Sequence, residues 1–246
     1  MSRKLDNVRR LYLEGIRDGH ARRAVEACTG DRYTQHSTGV ADGVEGFVAF
    51  FEPFLARNPI REIEIVRAIE DGPHVFVHAH QRLNGGESEW VTADLFDTDA
   101  DDLIVEHWDT ITPFVPGPAG GPGPIDGQVE VTDLERTSAN KAVVAAFVET
   151  VLAGGRRRRR GEFVSAPTYV EHGRATPAGD APARYEEIRH LVGQGNFVVT
   201  YSRVAGGGGP YAAFDIFRLD GGLIVEHWDN WEKVAPPGEW NNSGKF

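Results

Sequence analysis

His107 and Asp109 stand near the middle of this 246-residue chain, and His227 and Asp229 stand near its end. Each pair closes the same run of residues, Leu-Ile-Val-Glu-His-Trp-Asp, at 103–109 and again at 223–229. On a strand, an imidazole and a carboxylate two residues apart share a face. Held in an apolar setting, they can do general acid–base chemistry. Desolvation raises the carboxylate's pKa, and a neighbouring imidazole can hold or pass the proton. Removing a proton α to a carbonyl, or protonating a developing alkoxide, needs such groups. A hairpin centred on Gly221 sets Asp215 opposite His227 and Ala213 opposite Asp229, and the same reasoning sets Asp94 beside His107. A slip of one residue swaps the faces. The competing role is structural, with the aspartate capping a turn and the histidine bonding across strands.

Further candidates flank these. Tyr33-x-x-His36 returns as Tyr169-x-x-His172. His78-Ala-His80 puts two rings on one strand face. With His36, His107 and Asp94 they have the donor types of a nitrogen–oxygen metal site. The second half is read as carrying Val199 and Tyr201 there, which confines such a site to the first half. Solvated or hydrogen-bonded histidines are the alternative, and the expectation is no metal and no cofactor. Arg156 to Arg160 reads as a solvated helix start, or else as a patch for an anionic substrate such as a phosphopantetheine arm or a carboxylate. Gly206 to Gly209 reads as a hairpin turn, and no Gly-x-Ser-x-Gly elbow is present.

The elements that must position these groups follow from the repeat. Two copies about 120 residues apart mark a duplicated domain rather than a solenoid. Pro113 to Gln128 is rich in Pro and Gly and reads as an extended linker. The expected organisation is a domain over 1–115, a linker over 116–134 and a domain over 135–246. Each half opens with an amphipathic helix, on Val8, Leu11, Tyr12 and Ile16 and then on Val143, Val144, Phe147 and Val151. A second helix, a short segment bearing Tyr-x-x-His and a third helix follow (Val44 to Arg57, Pro182 to Val192). Strands complete each half: His74 to Leu83, Glu89 to Asp97 and the Val-Glu-His-Trp-Asp strand in the first; Phe197 to Val204, Tyr211 to Leu219 and its own copy in the second. Ile60 to Ile69 alternates as an extra strand, so the second half is expected to be one strand shorter. Helices first and a strand meander afterwards is an α+β layout.

Composition narrows the function. A formal net charge of −11 argues against nucleic acid or an anionic membrane as partner. Hydrophobic residues make up 40% of the chain, as in an ordinary globular protein. The single cysteine, Cys28, rules out an internal disulfide and any CxxC motif. With no apolar leader or spanning segment apparent, the expected location is the cytoplasm. Arginine far outnumbers lysine, which suggests a GC-rich bacterial source.

The segment Asp215-Ile-Phe-Arg-Leu-Asp-Gly-Gly-Leu-Ile-Val-Glu-His-Trp-Asp229 resembles the SnoaL-like branch of the nuclear-transport-factor-2-like superfamily. Tyr33-x-x-His36 followed by Gly43-x-Glu45-Gly46-Phe47-x-x-Phe50-Phe51 is similar too. The resemblance implies two tandem cone-shaped α+β barrels, each with helices packed on a strongly curved, mostly antiparallel sheet around a deep pocket. It implies chemistry like that of polyketide cyclases, isomerases, dehydratases or epoxide hydrolases. It places Asp109 and Asp229 near the cyclases' acid–base aspartate, and Asp94 and Asp215 near a position that often carries a pocket histidine there. His36 and His172 fall at the pocket mouth.

The expected function is that of a cofactor-independent acid–base enzyme in bacterial secondary metabolism, acting on a hydrophobic oxygenated small molecule. Ring closure of the polyketide-cyclase type is the lead reaction. Epoxide hydrolysis or epoxide-opening cyclisation is the alternative, and a non-catalytic binding or scaffold protein is the second class. Asp109, Asp229, His107, His227, Asp94 and Asp215 are the catalytic candidates. Tyr33, His36, His78, His80, Tyr169, His172 and Tyr201 are the substrate-binding ones. The two halves are expected to pair within one chain, as a monomeric pseudo-dimer.

Overall fold

The computed structural model describes residues 2–172 and 183–246. The chain divides into two compact units, Met1–Phe114 with Ala235–Phe246, and Val115–Val234. Both are α+β.

In the first unit, α1 (Arg3–Arg10) is capped by the Ser2 hydroxyl, which accepts from the Leu5 amide. A π-helical stretch, Leu11–Arg17, continues it, and together they bury Val8, Leu11, Tyr12 and Ile16. Then come α2 (Ala21–Cys28), β1 (Thr29–Gln35), α3 (Gly43–Arg57), β2 (Arg61–Asp71), β3 (His74–Leu83), β4 (Ser88–Thr98) and β5 (Ile104–Pro113). The sheet order is β1-β5-β4-β3-β2; β1 runs parallel to β5 and the other pairs are antiparallel. The core joins the helical stripe to the sheet face carrying Val75, Val77, Ala79 and Phe96.

The second unit repeats this plan. Its opening helix α4 (Thr137–Phe147) also passes into a π-helical stretch, Val148–Ala153. A 3-10 helix, Arg157–Glu162, stands where α2 stands in the first unit. Strands β6 (Val170–Glu171), β7 (Arg184–Gln194), β8 (Phe197–Gly206), β9 (Gly209–Asp220) and β10 (Leu223–Lys233) follow. Their order, β6-β10-β9-β8-β7, is that of the first sheet. Two sheets of the same order, closed by the same heptapeptide, are the signature of tandem duplication.

One expectation is corrected. The sequence pattern predicts a helix over Pro182 to Val192 and one strand fewer in the second half. Arg184–Gln194 is instead a strand, and both sheets have five strands. Its apolar residues Tyr185, Ile188, Leu191 and Val192 have helical spacing. The pairing with β8 explains this: the register shifts between Tyr185 and Glu187 and again between Ile188 and His190. A bulge adds one residue to the strand's count, so two bulges turn a period of two locally into three. Residues 181 and 182 lie outside the described residues.

The stretch read as a linker packs on the second unit. The Trp228 indole N–H donates to the Asp126 carbonyl at 2.9 Å. Gly127, at φ +88°, lies so close to His172 that a Cβ there would stand 2.6 Å from its ring. The end of the chain packs on the first unit. The Asn241 amide donates to the Thr38 carbonyl, and the Asn242 side-chain amide to the carbonyls of Ser37 and Val40. Among the described residues, no helix is long and apolar enough to cross a membrane.

Candidate active site

In the first unit, β4 and β5 carry the polar centre of an otherwise apolar cavity of about 290 Å³. Asp94 and Asp109 are directly paired across these strands, and Phe96 is paired with His107. The turn and a register irregularity between Asp97 and Thr98 together move the pairing two residues from the simple turn-centred expectation; in the second unit Asp215 likewise pairs with Asp229, and Phe217 rather than Asp215 stands opposite His227. Parity survives, so the faces are as expected. Asp94 is reached by His107 diagonally: Nε2 lies 3.0 Å from Asp94 Oδ1. The other ring nitrogen, Nδ1, lies 2.9 Å from Gln35 Oε1, which stands beside it on parallel β1. An amide oxygen can only accept, so Nδ1 carries a proton. The imidazole thus bridges the Gln35 amide and the Asp94 carboxyl. Asp94 Oδ2 is buried with no hydrogen-bond partner.

Asp109 has a partner that sequence reasoning missed. Lys245, 1% exposed, places Nζ 2.7 Å from Asp109 Oδ1 and 2.9 Å from its carbonyl. Burial alone raises the Asp109 carboxyl, but Lys245 and His107 outweigh it and hold the group below the usual carboxylate range. No motif marks Lys245 in the sequence; its only signal is being one of four lysines, near the end of the chain. Asp94, His107 and Asp109 each offer a ligand atom within 4.8 Å of the others, a spacing that would admit a cation. The Lys245 ammonium already supplies positive charge there.

Two phenols complete the wall. Tyr12 Oη lies 3.1 Å from Thr92 Oγ1. Burial, reinforced by the Asp94 charge, pushes its pKa well up. The Tyr33 hydroxyl is buried without a partner, and burial raises it as well. Both stay protonated and able to donate.

The remaining residues of the repeated motif face the other way. His36 stacks on Trp108, with ring centroids 4.9 Å apart and planes within 4°. Its Nε2 meets Glu106 at 2.9 Å and its Nδ1 meets the Gly244 carbonyl at 2.6 Å. The second copy repeats this: His172 stacks on Trp228 at 4.3 Å and bonds Glu226 at 2.9 Å. His36 and His172 thus lock β1 to β5 and β6 to β10 rather than standing at a pocket mouth, because they follow the inward-facing Gln35 and Glu171 by one residue.

His78, His80 and Tyr201 are also absent from the cavities. Along β3, Val77, Ala79 and Gln81 pair with the inward Asp94, Thr92 and Trp90, so alternation turns His78 and His80 outward. His78 lies 3.2 Å from Arg67, and His80 packs on Phe114 beside Glu89. Tyr201 pairs with Phe214 and stacks on it at 4.6 Å. Thr200 pairs with Asp215 as Val77 pairs with Asp94, so Tyr201 corresponds to His78, not to His80 as the sequence alignment had it. The five-ligand metal grouping is therefore split between two faces.

The second unit has a cavity of about 360 Å³ lined by His227, Asp229, Tyr169, Glu171 and Tyr185 among others. His227 bonds Asp215 at 3.0 Å, as His107 bonds Asp94. The first difference is at the other nitrogen, where Glu171 replaces Gln35 and meets Nδ1 at 2.7 Å. Burial alone lowers the imidazole, but hydrogen bonds to Asp215 and Glu171 outweigh it and raise His227 to about 10. The Tyr185 hydroxyl donates to both oxygens of Asp215 at 2.9 Å. Tyr169 donates to Glu171. Here the proton on His227 is fixed at neutral pH.

Residues 8–107 match the SnoaL-like domain family. Among solved structures, the chain is similar to a candidate SnoaL-like polyketide cyclase from Jannaschia sp. CCS1, with 23% identity over 44% of this chain and 84% of that one, at a TM-score of 0.37. It is similar to IdmH, a candidate polyketide cyclase from Streptomyces antibioticus, with 18% identity, 45% and 92% coverage and a TM-score of 0.38. An LEH-like epoxide hydrolase from M. tuberculosis aligns with 19% identity, 44% and 82% coverage and a TM-score of 0.37. No curated protein matches the chain.

Proposed function

We propose that the first unit, whose residues 8–107 match the SnoaL-like domain family, is an acid–base catalyst for an apolar, oxygenated small molecule. The observation that carries this reading is Asp94. Its Oδ1 is bonded to a histidine whose other proton is fixed, and its Oδ2 is buried without a partner in the wall of an apolar cavity. A carboxylate so placed can take a proton from carbon, with His107 holding the balancing charge. Asp109 is the charged neighbour rather than the shuttle, because Lys245 holds it ionised. Tyr12 and Tyr33 supply neutral O–H donors for an oxygen on which negative charge develops. Base and donors together suit enolisation followed by ring closure, a cyclase-type reaction. The second unit keeps the fold with its imidazolium pinned between two carboxylates, and takes no part in proton transfer.

The direct pairing of Asp94 with Asp109 favours one second reading, epoxide opening, in which one carboxyl protonates the epoxide oxygen and the other activates the nucleophile. Two assays separate the readings. The first follows α-hydrogen exchange of apolar cyclic ketones in D₂O by NMR, and the second follows hydrolysis of apolar epoxides. The cyclase reading expects ketone exchange that falls by roughly 10²–10⁴-fold in Asp94→Asn. Exchange unaltered by that substitution removes Asp94 from the chemistry. Turnover of epoxides alone selects the second reading.

A further inference from the structure

The second cavity is not a copy of the first. Phe147, Val151, Leu152 and Phe217 supply apolar wall, but Arg157 and Arg160 also line it, and both are exposed. Among the described residues, no lysine or arginine lines the first cavity. Between the two arginines, Arg159 is tied to Glu162 at 2.6 Å. Arg157 and Arg160 have no ion-pair partner among the described residues. The Arg160 guanidinium sits over the Tyr169 ring, 4.3 Å from its centroid, which anchors it beside the cavity. Trp231 lines the same cavity at 8% exposure, and its ring N–H is buried without an acceptor.

Charge sets the ligand's orientation. Glu171, Asp215 and Asp229 surround one imidazolium, His227, so that end of the cavity repels an anion. The arginines attract one. We propose that the second unit binds an apolar molecule carrying an anionic head group, with the head group on Arg157 and Arg160 and the apolar body between Phe147, Val151, Leu152 and Phe217. The proposal is independent of the acid–base reading of the first unit. A carboxylate and a phosphate share the chemistry the arginines recognise.

The test is a titration of the ¹⁵N-labelled full chain with octanoate, octyl phosphate and 1-octanol. The indole N–H signals of Trp231 and Trp90 report the second and first cavities separately. At least one anion is expected to shift the Trp231 signal and to bind about tenfold or more tighter than 1-octanol, the worth of one charge-assisted contact. The Arg157→Gln/Arg160→Gln variant should weaken that anion by a similar factor and leave 1-octanol unchanged. Both side chains are exposed, and matching spectra of the free proteins establish that the fold is kept. Tighter binding of octanoate assigns a carboxylate head group, and tighter binding of octyl phosphate assigns a phosphate. Anions that bind no tighter than 1-octanol overturn the proposal. So does an affinity unmoved by the double substitution, or a response at Trp90 without one at Trp231.

Discussion

Replacing Lys245 by methionine keeps most of the side chain's length and removes its charge. The ion pair it breaks is buried: the Lys245 and Asp109 side chains are 1% and 6% exposed. At 2.7 Å and an effective dielectric near 20, their attraction is on the order of 6 kcal/mol. Desolvation of both ions offsets most of it, so the pair itself contributes little net stability. Removal of one partner is different, because Asp109 is then left buried and uncompensated. The expected loss is about 3–5 kcal/mol, taken from the first unit. Asp109 should respond by taking up a proton, so the variant loses less stability at low pH than at pH 7. Lys245→Met/Asp109→Asn removes both charges and should recover most of the loss. Urea unfolding of the wild type, the two single variants and the double variant completes the cycle, with backbone NMR assigning each transition to a unit. A single-variant loss below about 1 kcal/mol refutes the reasoning, as does a double variant no more stable than Lys245→Met.

The second unit makes a pH prediction. His227 sits at about 10 in the fold against 6.5 unfolded, so its contribution is complete below pH 6.5 and lost as the pH rises to 10. At about 1.4 kcal/mol per tenfold change in proton affinity, the upper bound is on the order of 5 kcal/mol. Glu171→Gln should lower the His227 midpoint, read by ¹⁵N NMR of the ring, and flatten the fall in stability between pH 7 and 10; an unmoved midpoint rules out Glu171 as a cause. Gly127→Ala should destabilise the second unit by about 2 kcal/mol or more, since its φ of +88° is strained for alanine and the new Cβ meets the His172 ring at 2.6 Å. Calorimetry that finds no change would remove the close approach of this stretch to His172.

Much was legible because it is local. The period-two alternation of β3, β4, β5, β8 and β9 comes from which side chains touch the core, and their order along the chain prescribes the hairpins. The repeated heptapeptide announced the duplication, and its parity put His107 with Asp109 and Trp108 on opposite faces whatever the exact register. Strand β7 was illegible because its two bulges give its apolar residues a helical spacing. His78 and His80 misled for a related reason. They do share a face, but alternation within one strand does not say which face is the inner one. That depends on how β3 pairs with β4.

By itself, then, the sequence determined two α+β units built on one plan, the strand bearing the candidate chemistry and the residues that share its face. Tertiary structure alone decided how the two sites differ. Gln35 and Glu171 occupy the same place in their sheets, yet only the parallel pairing of β1 with β5 and β6 with β10 brings them to the histidine nitrogens. One is a neutral amide beside His107; the other is a carboxylate that, with Asp215, holds His227 as a cation. Lys245 reaches Asp109 across a separation of 136 residues. Electrostatic energy depends on distance in space and on burial, and a sequence records neither.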